Sequence, residues 1–381
     1  MKIMKKGLVV VIGVFCVTMW IGTQPAFSEM SNRELEHEVK ALKDKLDERS
    51  GAEESGALEK LLQLTDRLSF SGLIEVESFV RNSFDGEDES DITLATVELG
   101  LDAQIADWVT GHILLLWEED DTEPIDVDEG TITLGNPDIF PVYLTAGKMY
   151  VPFGVFETNM IQDPLTLELG ETRESALLMG FDISGFYASA YIFNGDIDEY
   201  GDDNEIKCYG ASAGYAFEND NMGLDIGVDW INNLVDTDGL GDFVEEEGLA
   251  LKDYMGGLAA HAILNAGLFT LIGEYVGGTD DPEFNLGLFE VELEAMSAWN
   301  IEFGYTFEMV GKEATLAVAY QGTDECGGFL PEERYLAAIG IGIGEYVGLA
   351  LEYAHDDDYD KVDGGTGDDA DMITVQLAVE L

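Results

Sequence analysis

Basic residues are scarce: this chain of 381 residues sets 18 Lys and Arg against 78 Asp and Glu, a net charge of -60. Nucleic acid is therefore excluded as a partner, because phosphate binding needs clustered Lys and Arg. Cysteine is nearly absent too, with Cys16, Cys208 and Cys326 the only three. The last two lie far apart without CxxC or CxxCH spacing, which argues against zinc, haem and thioredoxin-like chemistry. A disulfide between Cys208 and Cys326 stays open. Proline is limited to 8 residues and histidine to 4, which leaves little to build a catalytic base from.

Long apolar runs are missing except at the start. Leu8 to Ile21 is continuously apolar, follows Lys2, Lys5 and Lys6, and precedes the small-residue site Ala26-Phe27-Ser28. That order predicts a secretory signal peptide over residues 1–28. Phe15 before Cys16 speaks against a lipoprotein signal. No other stretch approaches the roughly 20 residues that a membrane-spanning helix needs. Removing the signal takes away three lysines and no acid, so the mature chain is more acidic still.

What remains is rich in glycine, with 44 residues, yet at 46% apolar it is too hydrophobic for simple disorder. Residues 29–68 show helical spacing, with Leu35, Val39, Leu42 and Leu46 in a 4-3-4 seam among charged residues. Gly51 and Gly56 interrupt it, and an apolar stripe resumes from Leu58 to Leu68. Two readings stand: an oligomerising coiled coil in the periplasm, or an amphipathic helix packed on its own barrel.

From Ser69 onward the period is 2. Ala95, Val97, Leu99, Leu101, Ala103 and Ile105 alternate with polar or small residues, and so do Trp299, Ile301, Phe303, Tyr305 and Phe307. About sixteen strands fit over residues 69–381. Connections after even strands are short, as at Ala106-Asp107 and Gly344-Glu345, whereas those after odd strands are long and acidic, as at Asp236 to Glu247 and Asp356 to Asp371. A sandwich has no reason to sort its loops by parity. An all-β, transmembrane antiparallel barrel does: tight turns at one face, large loops at the other.

Counting strands makes Val151 to Arg173 the third exterior loop, the one that in sixteen-stranded porins commonly folds inward to narrow the channel. It offers Glu157, Asp163, Glu168, Glu171, Arg173 and Glu174, with Lys148 on the strand leading into it. Acids facing a basic residue across a narrow pore would choose ions by charge. The plainer alternative is that Arg173 pairs with neighbouring glutamates and only fixes the loop. Lys148 shares the parity of the outward-looking Val142, Leu144 and Ala146, and its facing is undecided.

The segment Ala146-Gly147-Lys148-Met149-Tyr150-Val151-Pro152-Phe153-Gly154, with Phe156-Glu157-Thr158-Asn159 and Asp163 to Ala176 after it, resembles the signature of the LbtU-family siderophore porins. Weaker echoes occur at Ser71 to Glu77, Tyr191 to Asp196 and Ala298-Trp299-Asn300. The resemblance implies an outer-membrane channel for passage of an iron-siderophore or similar small solute, without a plug domain. A general cation-preferring porin is the alternative, and a structural envelope protein a further one. Expected partners are outer-membrane lipid and lipopolysaccharide, the solute, and further copies of the chain, most simply in a trimer. The chain ends in Leu381 where such barrels usually end in an aromatic.

No cofactor, resident metal or catalytic residue is implied. Asp236-x-Asp238-x-Leu240-Gly241 followed by Glu247 matches part of an EF-hand loop, but Leu240 stands at a ligand position, so a solvated acidic loop is expected there. Acidic loops would bind divalent cations only collectively. Among the histidines, His112 and His261 are read as lumen-facing, and no Ser/His/Asp pattern stands out.

Overall fold

Alternation over 10 to 15 residues, broken by turn residues, folds here into a closed ring of strands. The computed structural model describes residues 67–381 except 120, 121, 123, 137, 138, 198, 202–204, 286–289 and 293. The signal-peptide and coiled-coil readings lie outside the described residues. The overlap is Arg67 and Leu68, read as the end of the helical stripe and found as a turn residue and the first residue of a strand.

In chain order the strands are β1 Leu68–Asn82, β2 Asp88–Ala106, β3 Val109–Trp117, β4 Asp126–Asn136, β5 Phe140–Tyr150, β6 Arg173–Ile183, β7 Phe186–Phe193, β8 Cys208–Asn219, β9 Met222–Ile231 and β10 Leu251–Asp253. There follow β11 Gly257–Ala266, β12 Phe269–Gly278, β13 Glu283–Asn285, β14 Glu290–Glu292, β15 Ser297–Met309, β16 Lys312–Asp324, β17 Glu333–Gly342, β18 Val347–Asp357 and β19 Asp369–Glu380. Helix α1 covers Leu165–Gly170 and α2 covers Asp238–Glu246.

Sixteen strands form the antiparallel barrel, and β10, β13 and β14 form a separate small sheet. The ring closes where β1 pairs with β19, with Ile74 opposite Val379 and Val80 opposite Ile373. Those side chains point outward, as do Leu99, Ile113, Ile301 and Leu351, and all but Val379 are counted among the exposed large hydrophobics. The opposite parity carries Glu75, Thr96, Asn300, Glu302, Gln321, Glu352 and Gln376 inside, all buried. Apolar outside and polar inside is the inverse of a water-soluble sandwich, and it suits a lipid surround.

Tight turns gather at one end. Ser184 and Gly185 both have positive φ (55° and 85°), as do Val310 and Gly311 (53° and 73°), the two-residue turn whose twist matches antiparallel strands. Long connections gather at the other end, with one departure from the expected sorting. The first is only residues 83–87, because β1 and β2 stay paired out to Asn82 opposite Asp88.

The long-loop end is not a set of solvated acidic loops. Helix α2 sits where that loop was expected: Leu240 and Val244 are buried, and the Phe243 ring lies 5.2 Å from that of Phe329. Helices α1 and α2 pack together, and β10 and β13 join two different long loops. One apolar cluster runs through this cap and down into the barrel, including Phe153, Leu165, Leu169, Tyr191, Phe193, Ile231, Leu234 and Leu240. The short apolar spacing of Leu240, Phe243 and Val244 outweighs the charge of the acids around it, since burial follows the apolar face. Cys208 and Cys326 are both buried and free.

Candidate channel constriction

After β5 the chain turns inward at Pro152 to Gly154 and crosses the lumen before α1. A loop inside a barrel has left the strand ladder, so its N–H groups need other acceptors. The wall supplies them from inward-facing positions on distant strands. Asp229 of β9 accepts from the N–H of Gly154 at 3.0 Å, and Glu274 of β12 from those of Val155 and Phe156 at 2.7 and 3.1 Å. Glu302 of β15 accepts from the Asn159 N–H at 2.8 Å, from its side-chain amide at 2.6 Å and from the Thr158 hydroxyl. Glu352 of β18 takes the N–H groups of Ile161 and Gln162, and Gln321 of β16 accepts from Leu165 at 3.1 Å. Glu274 also accepts the Thr166 hydroxyl at 2.8 Å. Hydrogen bonds to charged acceptors contribute about 1.5–3 kcal/mol each, so the loop is strapped to the wall rather than resting on it.

Gly154 is needed at the turn. Its φ is +80°, and a Cβ there would lie 2.3 Å from the Phe156 ring. That ring is buried in the cap cluster, so the turn and the strap are built by the same few residues.

The expected site residues divide. Glu157, Asp163, Glu168 and Glu171 do lie on the inward loop. The Asp163 carbonyl accepts a long hydrogen bond of 3.4 Å from Arg334, whose guanidinium makes a bidentate pair with Asp356 at 2.8 and 2.9 Å. Glu171 is buried; its N–H closes α1 onto Leu167, and its carbonyl accepts from Asp238 of the next long loop. Arg173 reaches beyond its own segment. Its guanidinium meets Asp128 of β4 at 2.5 Å and its backbone N–H donates to Asp238 at 2.9 Å, so it ties β6 to β4 and to the cap. The reason is register: Arg173 opens β6 opposite Tyr150, and Tyr150 itself donates to Asp128 at 2.9 Å. Lys148 stands apart from the loop and pairs with Asp126 at 3.1 Å. Glu174, on β6, lies near the acids Asp196, Asp236 and Asp238.

Beside Glu157 is a cluster that the sequence reading had only in fragments. Tyr187 of β7 donates to Asp225 of β9 at 2.9 Å and contacts His261 of β11 at 3.2 Å. Gly214 and Gly227 leave the room: a Cβ on either would lie within 3 Å of the Tyr187 hydroxyl or the His261 ring. Burial pushes the Glu157 carboxyl up to about 7, and the nearby acids Glu302, Asp225 and Glu274 push the same way while His261 opposes them.

Sequence reasoning missed the wall acceptors Asp229, Glu274, Glu302 and Glu352. A signal was present: each is an acid at the inward parity of an alternating strand, as Glu302 is between Ile301 and Phe303. Nothing local said that a loop more than 70 residues away would come to meet them.

Against known proteins, no family model matches. The chain is 28% identical over 323 residues to a UPF0422 protein of Coxiella burnetii, spanning 83% of this chain and 70% of that one. It is 25% identical over 357 residues to a UPF0422 protein of Legionella pneumophila, spanning 82% and 66%. Among solved structures it resembles an anion-selective porin from Comamonas acidovorans (TM-score 0.58, 12% identity, 82% of this chain and 99% of that one). It also resembles the outer-membrane channel DcaP of Acinetobacter baumannii (TM-score 0.58, 13% identity, 82% and 97%) and OmpF of Salmonella typhi (TM-score 0.55, 13% identity, 82% and 97%). The chain thus has the fold of outer-membrane porins. The names of its relatives carry no siderophore, and the LbtU-family resemblance rests on the residues quoted for it.

Proposed function

We propose that this protein is a porin-like channel of an outer membrane, with the loop of residues 151–172 as its constriction and cations as its preferred ions. The observation that carries the reading is the strap. A lumen crossed by a loop pinned at Asp229, Glu274, Glu302, Gln321 and Glu352 is a pore with a built restriction, which a purely structural barrel has no need of.

The charge inventory supports the cation preference. Arg81, Lys148, Arg173, Lys252 and Arg334 are each taken up by an acid. With 78 acids in the chain, the surplus negative charge has no matching cations, and a low-dielectric passage amplifies it. The neighbouring fold of an anion-selective porin does not weigh against this, since selectivity lies in side chains and not in the barrel. Within the same reading, the ferric siderophore implied by the resemblance would have to be neutral or cationic to pass.

Planar-bilayer conductance across a salt gradient tests the proposal. A reversal potential of the sign for cation permeation is expected, and partial block on adding a neutral or cationic ferric siderophore would extend it to that cargo. Absence of channels from a folded barrel, or anion selectivity, would overturn it.

A further inference from the structure

At the long-loop ends of β18 and β19, on the outward face, four side chains meet in a two-by-two array. The register sets His355 opposite Asp371 and Asp357 opposite Asp369. They continue the parity of the exposed Leu349, Leu351 and Tyr353 on one strand and of Ile373, Val375 and Leu377 on the other. The array is therefore outside the barrel, apart from the lumen and from the loop that crosses it.

Two features of this array go beyond a patch of acids. First, it contains an imidazole, and one ligand atom each from His355, Asp369 and Asp371 lies within 4.8 Å of the other two. Two atoms that share one ion at bond lengths of about 2.0–2.2 Å lie at most about 4.4 Å apart, within a small side-chain rotation of this spacing. The His355 Nδ1 and Asp371 Oδ1 atoms are already 3.0 Å apart, the separation that two such bonds make at about a right angle. Second, an outer set of partners is in place. Asp357 stands 3.6 Å from the other imidazole nitrogen, Nε2, and the Tyr353 hydroxyl donates to Asp371 at 2.6 Å. A carboxylate behind the far nitrogen of a ligating histidine fixes the tautomer and the ring orientation. Asp357 and Asp369 are also like charges directly across a strand pair, an arrangement that costs stability unless a cation sits nearby.

We propose that His355, Asp369 and Asp371 form a binding site for a divalent transition-metal ion of the zinc type, oriented by Asp357 and Tyr353. Binding replaces the proton between Nδ1 and Asp371 and leaves Nε2–H facing Asp357 across 3.6 Å. One nitrogen and two carboxylate oxygens favour zinc, nickel or copper over magnesium and calcium, which prefer all-oxygen sets. Three protein ligands leave a position open to water or to an outside donor.

The test is calorimetric titration of zinc into the full-length, untagged barrel in detergent, after chelator treatment and in moderate salt. One zinc per chain is expected, with magnesium and calcium bound at least about tenfold more weakly. His355→Ala should abolish the saturable site. Asp357→Asn should weaken it by about tenfold, the usual effect of losing an outer partner. Glu245→Gln, Glu246→Gln and Glu247→Gln together remove three exposed charges from α2 and its end and should leave zinc binding unchanged. Each variant is checked for the heat-modifiable band shift of a folded barrel. Zinc binding that His355→Ala leaves intact, or that the α2 triple variant lowers as much as His355→Ala does, would overturn the site in favour of diffuse attraction to acidic loops. A folded wild-type barrel that binds no zinc would overturn it outright.

Discussion

The carboxylate of Glu274 accepts the N–H of Val155 at 2.7 Å, a bond between residues 119 apart in sequence that joins the inward loop to the wall. The same carboxylate serves Phe156 and Thr166, so both the outgoing and the returning arm of the loop are held at one point.

Removing the far anchors should free the loop. Glu302→Ala with Glu352→Ala takes away the acceptors for Thr158, Asn159, Ile161 and Gln162. At about 1.5–3 kcal/mol per charged hydrogen bond, the loss is enough to release that arm. Larger and noisier single-channel conductance is the expected outcome in planar bilayers. Unchanged conductance from a folded double variant would mean that this loop does not set the pore.

Arg173 and Asp128 form a pair whose acid is almost fully buried, with side-chain exposures of 25% and 3%. Losing one partner of such a pair costs about 3–5 kcal/mol, because the other charge is left uncompensated. Arg173→Ala should therefore lower the heat-modifiability midpoint, whereas Arg173→Leu combined with Asp128→Leu should recover much of it. Equal midpoints for the wild type and Arg173→Ala would show that the pair is idle.

Glu157 should make ion selectivity depend on pH. Burial holds its carboxyl up at about 7, so it is neutral below that pH and charged above it. Cation preference is expected to fall as pH drops from 8 to 6, and Glu157→Gln should flatten the change. The stability sign is opposite. The folded state holds the proton more tightly than the unfolded chain, so the contribution of Glu157 falls as pH rises from about 4.5 to 7. Glu157→Gln should consequently stabilise the barrel at pH 8 and have little effect at pH 4. A pH-independent reversal potential in the wild type would refute the assignment.

Charges on the inward loop should outweigh charges on the exposed cap. Salt screens exposed groups beyond about 8 Å at physiological ionic strength. Neutralising Glu157 and Glu168 together is expected to shift the reversal potential far more than neutralising Glu245, Glu246 and Glu247, which are exposed on α2 and at its end. Asp356 is a poor control, since it is the partner of Arg334. Equal shifts would place the selectivity in the cap.

Val310 is a β-branched residue at φ 53° and 95% exposed, in a turn that favours Asn or Gly. Val310→Asn should stabilise the barrel by about 1 kcal/mol. Urea unfolding in detergent reads the difference, and a lower midpoint would contradict the strain argument.

The sixteen barrel strands and their turns were readable because the signals are local. Alternation at Leu99 to Ile105, or at Ile301 to Phe307, states which side chains face lipid without reference to any other strand. Turn chemistry is local as well, as Ser184-Gly185 shows. The first connection was overestimated because nothing local says that Arg81 and Glu89 keep the hairpin paired past the acids.

Position in the chain also placed the inward loop, by counting from the first strand. Which groups it meets was decided by closure. Only when β1 joins β19 do Asp229, Glu274, Glu302 and Glu352 face a common lumen, and their carboxylates then become the nearest acceptors for N–H groups that have left the ladder. Arg173 meets Asp128 through the same ring, since β6 pairs with β5 and β5 with β4. Sequence by itself determined which face each side chain takes, because that depends on a period of two. Tertiary structure decided who pairs with whom across the lumen, because that depends on the stagger of a closed ring that no single strand carries.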